Sequence, residues 1–134
     1  MPARLRPATL ADISGVLALW RAVAAPTTTD HTDALRALVT HDPGALIVAE
    51  EAGQVVGTVV AGWDGWRGSV YRLAVLPAHR RRGYAEAVVH HAVAEYRAAG
   101  FAGKLVLQST PDGRRLYRDM GFTRTTRFSV YATI

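Results

Sequence analysis

The stretch AVLPAHRRRGYAEAVV, residues 74–89, decides the fold because the end of a strand, a basic turn and the start of a helix meet within it. The strand-like segment 69–76 ends at Pro77. From Gly83 to Ala99 apolar residues recur every three or four positions, which is typical of an amphipathic helix. A further strand-like segment, 104–109, follows. A strand, a long helix and a strand in that order predict a parallel crossover.

The segments around this crossover predict the rest of an α/β fold. Thr9 and Asp12 have the spacing of a capping box and predict the start of a first helix, which we expect Pro26 to end. Apolar periodicity and turn residues predict the remaining elements: a short helix through Leu35, Leu38 and Val39, strands at 45–50 and 55–62, a helix at 112–120 and a last strand at 128–134. We therefore expect a mixed sheet with antiparallel N-terminal hairpins and a parallel crossover at the central strand, flanked by about four helices.

Composition limits the classes of protein that need to be considered. A chain of 134 residues has the size of one domain, and we expect residues 1–134 to form it. Its uncharged runs are far shorter than the ~20 residues of a membrane helix, and the N-terminus lacks the apolar core of a signal peptide. We expect a cytoplasmic protein with no membrane partner. The lack of cysteine excludes disulfides, a thiolate nucleophile and cysteine-bound zinc, and the adjacent His90 and His91 point about 100° apart on a helix, so no metal site is expected.

The basic turn at residues 80–83 has the chemistry of an anion site. Although the formal net charge is +5, only Arg80, Arg81 and Arg82 form a run. The helix that follows begins with N–H groups that lack intrahelical partners, and Gly83 leaves its backbone open to a ligand, so a pyrophosphate would fit. The alternative is a solvated, basic helix start, which is a common feature. The segment has neither the G-K-[ST] of a Walker loop nor the G-x-G-x-x-G dinucleotide fingerprint.

Three segments of the chain resemble, in order, the motifs of one enzyme family. Residues 75–85, VLPAHRRRGYA, resemble the V-x-P-x-x-[RQ]-x-x-G-x-[GA] acetyl-CoA signature of the GCN5-related N-acetyltransferase (GNAT) superfamily. Residues 116–122, LYRDMGF, are similar to its L-Y-x-x-x-G-F segment, and residues 5–12 resemble its usual first strand and helix. Three ordered matches over nearly the whole chain are more specific than any one of them. The chain is therefore identified as a GNAT member of the small single-domain bacterial type.

The resemblance implies an enzyme that moves an acetyl group from acetyl-CoA to a primary amine by direct attack in a ternary complex. The basic turn would hold the coenzyme pyrophosphate, and the preceding strand would pair with the pantetheine arm and stabilise the developing oxyanion with a backbone N–H. The implied coenzyme-binding residues are Leu73, Ala74, Val75, Arg80, Arg81, Arg82, Gly83, Tyr84 and Ala85. Tyr117 matches the family tyrosine that protonates the departing thiolate; the alternative is an aromatic residue that fills the core beside Phe122.

The general base stays unassigned. Where many relatives carry a glutamate, this chain has Arg72 and Gln108, neither of which accepts a proton usefully. The remaining candidates, each of which is better explained as a surface or structural residue, are Glu50, Asp64, His31 and His79. A water chain, or an amine that is already partly deprotonated, would also serve. Because the attacking amine must be neutral, we expect the rate to rise with pH.

The acceptor is expected to be a small-molecule or peptide amine. By the resemblance, the loop 27–32 and the hairpin 63–66 lie on the acceptor side. Trp63 and Trp66 would cage a cationic amine with Asp64 as counter-charge, or would only stiffen the hairpin.

A binding module is the alternative to an enzyme. An acyl-CoA sensor or regulatory module would lack efficient catalysis, but the chain retains Tyr117. Nucleic acid is not an expected partner, because the basic run is confined to one turn and has no interleaved aromatic residues. A homodimer stays open, because many members of the resembled family dimerise.

Overall fold

A computed structural model of the chain describes residues 3–23, 27–100, 103–107, 109, 113–127, 129 and 131. The strands within these residues are β1 (Arg4–Pro7), β2 (Leu46–Glu51), β3 (Gln54–Trp63), β4 (Gly68–Val75) and β5 (Leu105–Leu107). The α-helices are α1 (Ile13–Val23), α2 (Thr32–His41), α3 (Tyr84–Ala98) and α4 (Arg114–Asp119). Most of the predicted last strand at 128–134 lies outside the described residues, as do the predicted helix stop at Pro26 and Asp112, where the fourth helix was expected to begin. Ser129 and Tyr131 are described and belong to no strand.

The strands form one mixed sheet in the order β1-β2-β3-β4-β5. The first four strands pair antiparallel, and β4 pairs parallel with β5 after the crossover through α3. This arrangement confirms the predicted mixed α/β sheet. The order also places the β2–β3 turn and the β4–α3 turn at the same end of the sheet, because β2 and β4 both run antiparallel to β3.

The helices cover the two faces of the sheet and bury two apolar clusters. Val48 and Val60 pack on one face with residues of α1 and α2, while Ile47 and Val59 pack on the other face with residues of α3 and α4. Neighbouring residues alternate between the clusters because successive side chains of a strand point to opposite faces. The buried parts of β2 and β3 are therefore apolar apart from Thr58, as expected of a sheet that is buried on both sides.

A β-bulge interrupts the pairing of β3 with β4. Thr58 lies opposite Ala74 and Val60 lies opposite Tyr71, so that Val59 faces two residues of β4 instead of one. Arg72, the first of these two residues, has a φ of 56°, a left-handed conformation that non-glycine residues seldom adopt. The bulge lies just past the point where β5 pairs with residues 68–70 of β4.

Candidate active site

The basic turn between β4 and α3 has the backbone shape of an anion site. Pro77–His79 form a short 3-10 turn, and Arg81 and Gly83 then adopt positive φ angles of 64° and 78°. The first backbone bond within α3 joins the Ala87 N–H to the Gly83 carbonyl at 2.9 Å, so the N–H groups of residues 84–86 precede the helical ladder. Nothing lies within 4 Å of where a Cβ of Gly83 would be. A ligand can therefore approach the backbone at Gly83 closely.

The three arginines of the turn lie in different surroundings. The Arg80 Nε donates to the Val75 carbonyl at 3.2 Å and so ties the turn to the end of β4. Arg81 is exposed. The Arg82 Nη1 donates to both carboxylate oxygens of Glu51, at 3.1 and 3.2 Å. Arg80 and Arg82 are exposed as well, so the run is a set of three exposed arginines, two of which have the hydrogen bonds given above.

Glu51 brings a negative charge to the basic turn. Besides Arg82, its carboxylate accepts a hydrogen bond from the Tyr84 hydroxyl at 3.1 Å and lies 3.2 Å from His79 Nε2. Desolvation acts to raise the pKa of Glu51, but the Tyr84 hydrogen bond and the charges of Arg82 and His79 outweigh it, and the pKa is lowered. Sequence reasoning assigned Glu51 only to a hairpin turn. The signal that could have found it is the antiparallel order of β2, β3 and β4, which brings that turn beside the basic one.

The three strand residues predicted to pair with the coenzyme follow the bulge. Leu73 is part of the bulge, and Ala74 and Val75 continue β4 with buried side chains. Within the described residues, the sheet ends at β5, which pairs no further along β4 than Val70. The backbone edge of residues 73–75 on that side is therefore next to the end of β5, where the two strands part.

A hydrogen-bonded chain supports the bulge from the α1 side. The indole Nε1 of Trp20 donates to Thr58 Oγ1 at 2.9 Å, and the Thr58 hydroxyl donates to the Arg72 carbonyl at 3.1 Å. The Arg72 guanidinium lies 4.8 Å from the centre of the Trp20 ring and forms an ion pair with Asp30. Burial acts to raise the pKa of Asp30, but hydrogen bonds from Arg72 and Thr27 lower it overall. Sequence reasoning singled out neither Asp30 nor Thr58.

The four candidate bases each have a structural contact. Glu50 accepts a 2.7 Å hydrogen bond from Arg6 Nε, and His31 caps α2 by accepting the Ala34 N–H at 3.2 Å. His79 contacts Glu51, as described above. Asp64 accepts the backbone N–H groups of residues 66 and 67, both at 2.8 Å, and these bonds lower its pKa. Each of these groups is thus accounted for by local structure.

The tryptophans of the β3–β4 hairpin have separate neighbours. The Trp63 ring lies 6.3 Å from the Tyr96 ring, whereas Trp66 is exposed and the Arg67 guanidinium lies over it at 4.4 Å. With the Asp64 carboxylate bound to the turn backbone, these contacts agree with a stiffened hairpin. A groove of about 480 Å³ runs beside it, lined by α2, the hairpin and residues that include Tyr71 and Val106.

Tyr117 lies on α4 inside the cluster beneath α3. Its side chain is buried with Val70, Val88 and Ala92, and its ring meets Phe122 edge-on at 5.7 Å between centres. Burial raises the pKa of Tyr117, so its phenol stays protonated well above neutral pH. A buried phenol of this kind can hold a proton as well as fill a core.

The described residues contain no cluster of three or more potential metal ligands among histidine, cysteine, aspartate and glutamate. In the same part of the chain, none of the helices has both the length and the apolar character needed to cross a membrane.

The chain is similar in sequence to known proteins. The model of the acetyltransferase (GNAT) family matches residues 16–122. An acetyltransferase of Photorhabdus laumondii is 44% identical over 80 residues, which cover 58% of this chain and 55% of the relative. An acetyltransferase of Sodalis glossinidius is 41% identical over 80 residues, with 58% and 56% covered. The match thus spans about half the length of these curated relatives.

Solved structures share the fold over nearly the whole chain. A GCN5-related N-acetyltransferase from Ralstonia eutropha is 27% identical with a TM-score of 0.74, covering 97% of this chain and 98% of the other. A predicted acetyltransferase from Clostridium acetobutylicum, solved with acetyl-CoA, is 19% identical with a TM-score of 0.78, covering 97% and 96%. At that identity the second likeness shows the fold alone.

Proposed function

The chain belongs to the GNAT acetyltransferase family, and from this premise we propose that it transfers an acetyl group from acetyl-CoA to a primary amine by direct attack within a ternary complex. The observation that carries the proposal is the juxtaposition of the basic turn with the bulged edge of β4. The basic turn would bind a pyrophosphate through its N–H groups and arginines. The backbone of the β4 edge would bind the pantetheine arm and the acyl group of the coenzyme.

The basic turn fits the coenzyme on three counts. The left-handed Gly83 leaves a cradle without a Cβ, the N–H groups at the start of α3 have no helical partners, and the helix dipole favours an anion at that end. We assign the pyrophosphate to N–H donors from about Arg81 to Ala85 and to the arginines at 80–82. The pantetheine arm would lie along residues 73–75. The acetyl-CoA in the Clostridium relative supports this choice of donor.

Bound acetyl-CoA would supply an activated acyl carbonyl and a thiolate leaving group. A backbone N–H of β4 would hold the carbonyl oxygen as negative charge develops on it. Tyr117 would keep its proton at neutral pH and give it to the leaving sulfur. We take water as the acceptor of the amine proton, and because only the neutral amine attacks, the rate should rise with pH.

The remaining features of the proposal follow the same premise. The acceptor would be a small-molecule or peptide amine, and the protein would act in the cytoplasm without a metal, a membrane or a nucleic acid. Residues 1–134 would act as one domain, alone or as a homodimer.

An acyl-CoA sensor is the second candidate function. It is favoured by one observation: Glu50, Asp64, His31 and His79 all have structural contacts. A sensor would bind acetyl-CoA through the same turn and transfer the acetyl group slowly or not at all.

Two measurements separate these functions. Thermal unfolding with acetyl-CoA at about a hundred times its dissociation constant should show ~2.7 kcal/mol of stabilisation, a rise of several degrees, and DNA should give none. Transfer to a panel of amines then distinguishes an enzyme from a sensor. A rise with DNA and not with acetyl-CoA would overturn both functions.

A further inference from the structure

Thr58 is a polar side chain in an apolar environment. It lies in the middle of β3 and is completely buried, with Val56 and Val60 buried on either side along the strand. Its hydroxyl accepts one hydrogen bond, from Trp20 Nε1, and donates one, to the Arg72 carbonyl. A buried hydroxyl with both partners satisfied holds those partners in fixed positions.

The bond to Arg72 reaches the backbone at the bulge. Because two residues of β4 lie opposite Val59, the alternation that directs every second carbonyl of a strand to the same neighbour is broken here. The carbonyl of Arg72, whose φ is positive, accepts a hydrogen bond from the Thr58 side chain. Arginine seldom adopts this conformation, so the hydrogen bond from the hydroxyl helps to maintain it.

The carbonyl of Arg72 and the N–H of Leu73 belong to the same peptide plane. In a trans peptide these two groups point in opposite directions, and the structure's described residues include no cis peptide bond. Because the carbonyl is bonded to a side chain of β3, the Leu73 N–H is directed away from β3, toward the side of β4 on which β5 lies. It therefore faces the edge of β4 beyond Val70, where β5 no longer pairs.

We propose that Thr58 is a positioning residue, whose hydroxyl orients the Arg72–Leu73 peptide so that the Leu73 N–H is the donor to the acyl oxygen. This inference rests on the proposed acetyltransferase function, which already places a backbone N–H of β4 at the acyl oxygen, and adds the side chain that supports that donor. Trp20 orients the hydroxyl by donating to it and also stacks on the Arg72 side chain. The bulge is thus held through both the backbone and the side chain of Arg72.

The test compares Thr58→Val with Thr58→Ser. Valine has nearly the shape of threonine but has no hydroxyl, whereas serine keeps the hydroxyl and loses a methyl group. Val16→Ala is the matched control, because Val16 is completely buried in the same apolar cluster and takes no part in the hydrogen-bonded chain. Each protein is assayed for kcat, for acetyl-CoA dissociation constant, for thermal stability and for the infrared carbonyl stretch of bound acetyl-CoA that carries ¹³C in the carbonyl.

Loss of one well-placed oxyanion donor lowers kcat about 100-fold, so a donor that is loosened should lower it about tenfold or more. We expect that loss for Thr58→Val with the acetyl-CoA dissociation constant nearly unchanged. Thr58→Ser should recover most of kcat, and Val16→Ala should lose stability but not kcat. The carbonyl stretch should lie below that of free acetyl-CoA in the wild type and should return toward the free value in Thr58→Val.

The inference would be overturned if Thr58→Val had a normal kcat and the same carbonyl stretch of bound acetyl-CoA as the wild type. A Thr58→Ser variant as impaired as Thr58→Val would also overturn it. Should Thr58→Val not fold, Trp20→Phe removes the indole donor together with part of a buried ring and should give a smaller change of the same kind; an unchanged carbonyl stretch there would also count against the inference. Wild-type protein that does not bind acetyl-CoA would overturn the proposed function itself, and that result is obtained without any variant.

Discussion

The negative charge of Glu51 is expected to weaken coenzyme binding. Removal of that charge should therefore raise the affinity for acetyl-CoA. Glu51→Gln removes the negative charge that lies beside Arg82 and leaves an amide oxygen that can accept the Tyr84 hydrogen bond. A phosphate oxygen on another N–H of the same guanidinium would lie about 6 Å from that carboxylate. Repulsion at this distance in water is worth about threefold in affinity per phosphate charge, or about tenfold for a pyrophosphate. We therefore expect Glu51→Gln to bind acetyl-CoA about tenfold more tightly at low salt.

Isothermal titration with acetyl-CoA at two ionic strengths measures this effect. The gain should be large near 0.01 M salt, where the Debye length is about 30 Å, and should nearly vanish near 1 M, where it is about 3 Å. Glu50→Gln is the control: it makes the same change of net charge one residue earlier, where the carboxylate pairs with Arg6 instead of the basic turn.

Three results would refute this reasoning. Glu51→Gln could bind acetyl-CoA no more tightly than wild type, or Glu50→Gln could show an equal gain, which would make the effect one of net charge alone. The third is an equal gain for pantetheine, which lacks the pyrophosphate. The first result would also mean that the pyrophosphate does not lie against Arg82.

Three further predictions concern single side chains. Tyr117→Phe should lower kcat more than acetyl-CoA affinity, because it removes the proposed proton donor and keeps the ring; unchanged kcat in a folded variant would leave Tyr117 as a core residue only. Asp12 should stabilise the fold above about pH 4, because hydrogen bonds from Arg6, the largest cause, lower its pKa from 3.8 to about 2. That stabilisation, about 2 kcal/mol, is lost as pH falls through the folded pKa near 2, so in urea titrations the unfolding free energy of Asp12→Asn should change less than that of wild type from pH 4 to 2. Asp64→Asn should leave the KM for the amine unchanged, because the Asp64 carboxylate serves the hairpin backbone; a raised KM would restore the cation cage.

The elements of the fold could be predicted because their signals are local. The stripe of apolar residues in α3, the β-branched residues of β3 and the basic turn are each visible in fewer than twenty consecutive residues. The same is true of the capping box, where the Asp12 carboxylate accepts the Thr9 N–H at 2.7 Å as its spacing indicates.

The parts of the candidate site that sequence missed depend on pairing between distant segments. The bulge at Arg72 arises from the register of β3 against β4, which no stretch of either strand specifies alone. Asp30 meets Arg72 across 42 residues of chain, and Glu51 meets Arg82 across 31. Residue types at those positions suit a surface loop and a hairpin turn equally well, so only the strand order identifies their partners.

Because the two apolar clusters lie on opposite faces of the sheet, the helical layers that cover them can evolve largely independently. Substitutions within the α1–α2 layer can reshape one face while the α3–α4 layer, which carries the basic turn and Tyr117, keeps its own packing. Trp20 and Thr58 limit this independence, because their hydrogen bonds connect the α1–α2 layer to the backbone of β4, as the ion pair of Asp30 with Arg72 connects it to a β4 side chain. Lineages that diverge in acceptor preference should therefore vary freely across the first layer and change these two positions only together.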